Sequence, residues 1–540
     1  MSVEKGANAV ARADVMRVAI GACLVVGVAL AIAWPAGKPP HYSPRSMAKV
    51  GRISERFQSY NIEMAEVTGG RFWKPYASRN TSDPVRAATK AGLPGGVDPS
   101  RYEYRPPVDL GDARLRKLAA ALGPAYVRVS GTWANSTYFS DSDAVAGAPP
   151  PGYIGVLTRP QWRGVVAFTR AVDGALVTSF AVSSGARDAA GAWRPDRAQR
   201  LVNYTRALGG HIAAAEFMNE PDLVDLANAP KGYNAEDYGR DFTLFRRWMR
   251  TVSPETVVAG PGSIAETGIT PWLMWLTGTH MISSADMLAA SQAKVDVFSY
   301  HHYGAMSERC IKSGIGSTDL ASVLSAGWLG SVDGATSSYQ ALRDEYAPAA
   351  PLWLTETGEA ACGGNPWAST FADTFRYLDQ LGRLARRGVQ VVMHNTLAAS
   401  DYGLLDETDH RPRPNYWAAL LWHEFMGTTV LDAGAAPSGS VHLYAHCLRG
   451  VPGGVALLAI NLDRNASRPL DIDAAAEGFT LAAPALDSRE VRLNGHVLLL
   501  GPDDVLPRFR GRPVAAGAAV LPAASITFLT IPRADNAACR

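Results

Sequence analysis

Apolar and polar positions fall into a repeating block pattern along most of this chain. Short apolar runs with strand character stand at Phe57 to Met64, Ala125 to Thr132, Ala175 to Ser184 and Ile212 to Glu220. Four more follow at Thr256 to Ser263, Val295 to Tyr303, Pro351 to Glu359 and Val389 to Leu397. Between them the apolar spacing lengthens to three and four residues, the helical period. The clearest helical stretches are "DARLRKLAAAL", "AEDYGRDFTLFRRWM", "FADTFRYLDQLGRLARRG" and "NYWAALLWHEFM". In the third, Phe371, Phe375, Leu378, Leu381 and Leu384 form one stripe, and Gly388 stands where a C-cap belongs. Near-continuous apolar strands, each followed by a helix, predict a parallel sheet covered by helices. Eight such units predict a closed (β/α)8 TIM barrel over residues 57–427. A doubly wound open sheet is the runner-up, but no G-x-G-x-x-G follows the first strand, so a dinucleotide site is unsupported.

The texture changes after about Val430. "VHLYAHCL", "GGVALLAINL", "FTLAAPAL", "HVLLL" and "SITFLTIP" are short apolar runs separated by Gly, Pro, Asn and Asp. They predict antiparallel strands, and so a β-sandwich over residues 428–540. At the other end, Arg12 and Arg17 precede an uncharged run from Val18 to Trp34, followed by "PAGKPPHYSPRS". Residues 1–40 therefore read as a signal peptide with cleavage after Ala33. An uncleaved membrane anchor is the competing reading, since the run is at the short end of what spans a bilayer. Either way the body is expected to be exported: periplasmic, secreted or membrane-anchored.

Composition adds bounds. The chain has 540 residues, 47% hydrophobic and 19% charged, too long for one compact domain unless that domain is a barrel. A net charge of +2 gives no general attraction to nucleic acid, so none is expected as a partner, and selection of an acidic ligand must be local. Cys310, Cys362, Cys447 and Cys539 permit two disulfides in an oxidising compartment; residue spacing alone leaves all three pairings open.

In a barrel of this kind the chemistry lies at the C-terminal ends of the strands. Strand 4 delivers Asn219-Glu220, strand 7 Thr355-Glu356-Thr357, strand 6 His301-His302-Tyr303, strand 2 Ser130-Gly131-Thr132, and strand 8 runs into His394 and Asn395. Two carboxylates on one rim suit glycoside hydrolysis, with one protonated to release the leaving oxygen and one ionised to attack. Pro221 disfavours helical geometry at Glu220 and stops the strand there. A glutamate before proline is commonly a turn residue, and a lone Glu356 could serve a salt bridge. Their pairing on one rim favours catalysis. The tandem histidines read as satisfied core and rim groups rather than metal ligands, because no third ligand has recognisable spacing. No metal or cofactor is expected.

These residues resemble the retaining barrel glycosidases, and within them glycoside hydrolase family 79, the heparanases and related β-glucuronidases. The likeness runs from about Phe57 to the C-terminus and is carried by "YVRVSGTWANSTYF", "NEPDL", "FSYHHYG", "LTETGEAACGG" and the stretch from Phe371 to Leu431. The resemblance implies that Glu220 is the acid/base and Glu356 the nucleophile. It implies that Asn219 contacts the sugar 2-hydroxyl and Tyr303 bonds the nucleophile. Glu63 and Thr132 stand at subsite positions, and the amides of Gly363 and Gly364 with Tyr402 resemble the group that holds a glucuronate carboxylate, a set of neutral donors. It also implies a Cys447–Cys539 disulfide, and that residues 41–56 join the sandwich domain. Cys362 departs from the family, and a Cys310–Cys362 pair is the corresponding guess. The long linker of the mammalian members is replaced by "SDSDAVAGAPPPGYIG", so one active chain, as a monomer, is expected.

The expected activity is retaining cleavage of β-glucuronidic bonds, with endo-action on heparan sulfate or another glucuronic-acid polysaccharide. Arg163, Arg187, Lys231 and Arg309 are candidate cleft cations. An exo-β-glucuronidase on small glucuronides and a non-catalytic carbohydrate-binding or adhesion protein are the alternatives. Retention predicts carboxyl groups roughly 5 Å apart, against roughly 6.5–9.5 Å for inversion. The ionised Glu356 is expected to raise the pKa of Glu220 as a like-charged neighbour.

Overall fold

Eight strands close into a parallel barrel in a computed structural model that describes residues 40–76, 93, 98–264, 280–292, 294–311 and 318–540. Residues 1–39 of the expected signal peptide or anchor, 1–40, lie outside the described ones. No helix among the described residues is long and apolar enough to cross a membrane. The barrel strands are β1 (Gln58–Glu63), β2 (Ala125–Ser130), β3 (Gly174–Ser179), β4 (Ile212–Glu216), β5 (Val257–Ser263), β6 (Val297–Tyr303), β7 (Leu352–Gly358) and β8 (Val391–His394). Each pairs with its neighbours in sequence, and β8 closes on β1 through Val392↔Gln58 to His394↔Tyr60.

The principal helices are α1 (Ala113–Ala120), α2 (Arg159–Ala171), α3 (Asp196–Ala207), α4 (Ala235–Val252), α5 (Ser284–Ser291), α6 (Ser331–Tyr346), α7 (Phe371–Arg386) and α8 (Pro414–Phe425). Their starts carry local chemistry. Asp112 and Asn234 accept the Leu115 and Asp237 amides as N-caps of α1 and α4, and Thr158 with Gln161 forms a capping box on α2.

Alternation along the strands divides the core in two. Val127, Val129, Leu176, Val258, Phe298, Leu352 and Leu354 face the helices. Val177, Ala214, Ala259, Val297, Trp353, Val391 and Met393 pack together as a separate plug that fills the lower barrel. Above that plug the interior becomes polar, which sets the floor of the site.

The C-terminal region forms two facing sheets. The larger orders Lys49–Arg52, Met426–Leu431, Val441–Leu448, Val455–Asn461, Ser525–Ile531 and Ala476–Ala482, with shorter strands beyond. The smaller pairs His41–Tyr42, Arg468–Ile472 and Ala519–Leu521. Leu431, Leu443, Leu457 and Leu529 of the larger meet Tyr42, Leu470, Ile472 and Leu521 of the smaller in one core. The segment that precedes the barrel thus supplies a strand to each sheet. Cys447 is bonded to Cys539, tying this unit to the C-terminus.

The outer face of the larger sheet grips α7. The first amides of α7, which have no partner within their own helix, donate from Phe371 to Ser488 O at 2.9 Å and from Ala372 to Leu486 O at 2.6 Å. Buried Asp379 accepts Arg383 Nε at 2.6 Å, Tyr444 O–H at 2.6 Å and His442 Nδ1 at 2.5 Å. Burial alone would raise its pKa, but the bonds from His442 and Arg383 bring it below the usual value. Asp379→Ala is expected to cost about 3–5 kcal/mol in denaturant titration, because it strips a buried network of its anion. With the folded pKa depressed, this stabilisation is complete above the ordinary aspartate pKa of ~3.9 and is lost as pH falls through the folded value.

Candidate active site

The polar upper layer of the barrel is organised by a residue the motif reading passed over. Arg128, in the middle of β2, is 1% exposed. Its Nε donates to Glu216 Oε2 at 2.8 Å, Nη1 to Glu356 Oε2 at 2.9 Å and Nη2 to Asn219 Oδ1 at 2.8 Å. Nη2 also lies 3.3 Å from His301 Nε2. One guanidinium therefore holds groups from β4, β6 and β7. Its ion pairs with Glu216 and Glu356 outweigh the burial that would otherwise favour its neutral form.

Strand β4 ends at Glu216, four residues before Glu220, and not at Glu220 as the apolar pattern suggested. The chain then bends through Phe217, which packs on Phe245 of α4, and reaches Glu220 at φ 46°. Pro221 bars right-handed helical geometry there, and the left-handed turn carries the carboxyl back over the barrel. A non-glycine residue held so costs on the order of 1–3 kcal/mol. Asn219 is fixed by exchange with Asn135: its N–H donates to Asn135 Oδ1 and its carbonyl accepts Asn135 Nδ2, both at 2.9 Å.

His301 is the hydrogen-bond partner of Glu220. Burial, against Glu356 and with Arg128, lowers the imidazole to about 4, so it is neutral at neutral pH. Arg128 donates to Nε2, which leaves the proton on Nδ1, and Nδ1 meets Glu220 Oε1 at 3.0 Å. Burial chiefly, opposed by Arg128 and reinforced by Glu216, pushes Glu220 up to about 7. The direction matches the sequence expectation but the cause does not: desolvation comes first, and the like-charged neighbour is Glu216 rather than Glu356.

Glu356 enters the barrel through a bulge. Trp353 points inward and Leu354 outward, so strict alternation would turn Glu356 out towards the helices. The register of β7 slips by one residue against both neighbours: Tyr300↔Leu354 is followed by His301↔Glu356, and Leu354↔Val392 by Thr357↔His394. The extra residue re-aims Glu356 inward beside His301. Thr357 accordingly faces out and accepts Gln380 Nε2 of α7 at 2.9 Å. Tyr303 O–H donates to Glu356 Oε1 at 2.8 Å, so both carboxylate oxygens have donors.

The remaining sequence candidates gather around Asn395. Its Nδ2 lies 3.1 Å from Glu63 Oε1, 2.9 Å from Tyr303 Oη and 3.1 Å from Tyr402 Oη. Burial, then Glu356 and Glu66, hold Glu63 well above the usual carboxylate range. Gly131, at φ 90°, makes room for it, since a Cβ there would overlap the Glu63 carboxylate. Thr132 begins the short helix after Gly131 and is half-buried. Gly363 and Gly364 lie on the loop after β7, with Gly364 beside the Tyr402 ring. Cys310 is bonded to Cys362 on the same rim.

The proposed cleft cations fare differently. Arg187 is buried on Asp241 at 2.6 Å, and Arg309 on Asp401 at 2.5 Å. Arg163 sits on α2, 3.5 Å from Asp143, and Lys231 is exposed. The expectation of neutral donors alone near the glycine pair is also corrected, since the Arg309 guanidinium packs against Gly363. Arg128 and Glu216 were legible in principle: each is a lone charge inside an apolar strand, of opposite sign, two strands apart. Glu220, His301 and Glu356 each offer an atom within 4.8 Å of the others, a spacing that could hold a cation, although Arg128 already lies against two of them.

Arg128→Met leaves Glu216 and Glu356 buried without their counter-ion. It is expected to cost about 3–5 kcal/mol of stability in chemical denaturation. Arg128→Lys should recover only part of this, because an ammonium cannot serve the same fork of acceptors.

The model of "Glycosyl hydrolase family 79, N-terminal domain" matches residues 154–382. Heparanase of Mus musculus is 26% identical over 522 residues, covering 85% of this chain and 93% of that protein. Heparanase-like protein 1 of Arabidopsis thaliana is 32% identical over 273 residues, but the match spans only 47% of its length and 50% of this chain. Baicalin-beta-D-glucuronidase of Scutellaria baicalensis is 35% identical over 29% of this chain and 31% of its own. Among solved structures, a 4-O-alpha-L-rhamnosyl-beta-D-glucuronidase from Fusarium oxysporum superposes with a TM-score of 0.57 over 91% of this chain and 99% of that one, at 14% identity, which speaks for the fold alone. The family-model match takes in both Glu220 and Glu356, and over residues 154–382 the chain is similar to glycoside hydrolase family 79.

Proposed function

We propose that this protein hydrolyses β-glucuronidic bonds with retention of configuration, and that it cuts within heparan sulfate or a similar glucuronic-acid polysaccharide. One observation carries the reading. Glu220 and Glu356 bring carboxylate oxygens within 4.8 Å of each other, yet one faces a neutral imidazole and the other a guanidinium. That separation favours direct attack over an intervening water.

In the first step a Glu356 oxygen bonds to the anomeric carbon as the glycosidic C–O bond breaks. The Glu220 proton passes to the departing oxygen. Water then attacks the glycosyl-enzyme, gives its proton to Glu220 and frees Glu356. Asn219, fixed by Arg128 and Asn135, meets the 2-hydroxyl. Tyr402, held as a phenol by burial, donates to the sugar carboxylate together with the Gly363 and Gly364 amides. Such bonds to an ionised acceptor are strong. The names of the heparanase relatives support a glucuronide polymer as substrate. Two disulfides support an exported protein.

Exo-action on small glucuronides is the second reading. It is favoured by the likeness to the baicalin glucuronidase and by the burial of Arg187 and Arg309 in ion pairs, which withdraws two cations from an open cleft.

The wild type is expected to turn over an aryl β-glucuronide, and Glu356→Gln to lose about 10³-fold or more in kcat. Because Glu220 works as an acid only when protonated, kcat/KM should decline as pH rises through about 7. Chain-length profiling of heparan sulfate separates the two modes: early appearance of mid-sized fragments supports endo-action, and release of single terminal sugars supports exo-action. A wild type that cuts neither substrate leaves a carbohydrate-binding protein.

A further inference from the structure

The loop after β7 places three successive residues in left-handed backbone: Cys362 at φ 67°, Gly363 at 78° and Gly364 at 87°. Every carbonyl of this turn is held from outside. Arg309 Nη1 donates to Cys362 O at 3.1 Å, Ser400 Oγ to Gly363 O at 3.1 Å and Ser307 Oγ to Gly364 O at 2.7 Å. The Gly363 and Gly364 N–H groups donate to none of the described residues. With the carbonyls tethered, two successive amides that bond none of the described residues are a donor pair suited to an anion.

Glycine adopts this backbone freely and cysteine does not. Cys362 is nevertheless kept there by two restraints from neighbouring residues of the β6 loop. Its sulfur is bonded to Cys310, and its carbonyl is bonded to the adjacent Arg309. The Arg309 side chain is 2% exposed. Its Nη2 donates to Asp401 Oδ2 at 2.5 Å and its plane lies 4.3 Å from the centre of the Tyr76 ring. The same guanidinium packs against Gly363 so closely that a Cβ at that glycine would collide with it. A cation neutralised by Asp401 and turned towards a carbonyl acts on the sugar only through the turn.

We propose that Arg309 and the Cys310–Cys362 disulfide form one clamp that positions the Gly363 and Gly364 amides, and that this clamp determines selection of a carboxylated sugar over its neutral counterpart. The proposal rests on the glucuronide reading of the same site. Arg309 is a positioning residue here, and the ligand chemistry is that of a hexuronate carboxylate.

The test compares wild type, Arg309→Gln, Arg309→Lys and the Cys310→Ser/Cys362→Ser pair on aryl β-glucuronide and aryl β-glucoside. The Cys447→Ser/Cys539→Ser pair is the control for loss of a disulfide as such. Arg309→Gln and the Cys310/Cys362 pair should raise KM for the glucuronide about ten- to a hundredfold, with kcat held within about threefold. The glucoside constants and the control pair's KM for the glucuronide should stay as in the wild type. Arg309→Lys should fall between, since it keeps the charge but not both bonds. If a melting scan shows the cysteine variant unfolded, the two Arg309 variants decide. Unchanged glucuronide KM in folded variants, or an equal fall on both substrates, overturns the clamp while leaving the hydrolase reading intact. If the wild type cuts no glucuronide, calorimetric binding of D-glucuronate against D-glucose decides. A wild-type preference that the variants lose upholds the clamp without the hydrolysis, and no wild-type preference overturns it.

Discussion

The site depends on a single buried cation. A guanidinium inside a barrel is strongly unfavourable unless its charge and donors are matched. Arg128 meets this demand with Glu216, Glu356, Asn219 and the acceptor nitrogen of His301. The same contacts create the difference between the two rim carboxyls. Glu356 takes a charged donor directly, whereas Glu220 bonds a neutral histidine whose tautomer Arg128 has fixed and feels Arg128 only through space. One interaction thus supports the barrel interior and gives the two rim carboxyls unequal surroundings.

Regular β-structure alone would not deliver these groups. The bulge in β7 turns Glu356 inward, and the left-handed turn at Glu220 folds its carboxyl back over the interior. Gly131 clears the space that Glu63 occupies. These departures are tolerated because the layer beneath them is rigid and apolar, with Trp353, Met393 and Val297 filling the barrel. Strain at the rim is held by packing at the floor.

The sandwich domain acts on the site through α7. It accepts the first amides of that helix and anchors it again at Asp379. The loop leading into α7 carries the glycine turn, whose carbonyls are tied to the loops after β6 and β8 through Arg309, Ser307 and Ser400. Buried Glu359 steadies the same loop by accepting the Asn365 and Ala360 amides. Helix, loop and neighbouring rim segments therefore fix the turn as a unit.

The strand and helix periods made the barrel legible, because eight apolar runs at helical intervals admit few other folds. The rim position of both carboxylates was legible too, although Glu220 lies four residues beyond the end of its strand: a polar residue that closes or follows an apolar strand of a parallel barrel falls at the rim. Arg128 and Glu216 were harder to read, since a charge within an apolar run gains its meaning only from the strand across the barrel that neutralises it. Glu356 was assigned correctly at the strand end, yet period-two alternation would have pointed it outward, and a bulge leaves no mark in composition. The burial that raises Glu220 and the ion pairs that occupy Arg187 and Arg309 likewise depend on neighbours remote in the chain. By itself, then, the sequence determined the architecture and the placing of two carboxyls at the rim, because both follow from local periodicity and residue type. Their inward aim, their unequal surroundings and the fate of each cation were decided only by the tertiary structure, because side-chain direction and electrostatic environment arise from contacts between residues far apart in the chain.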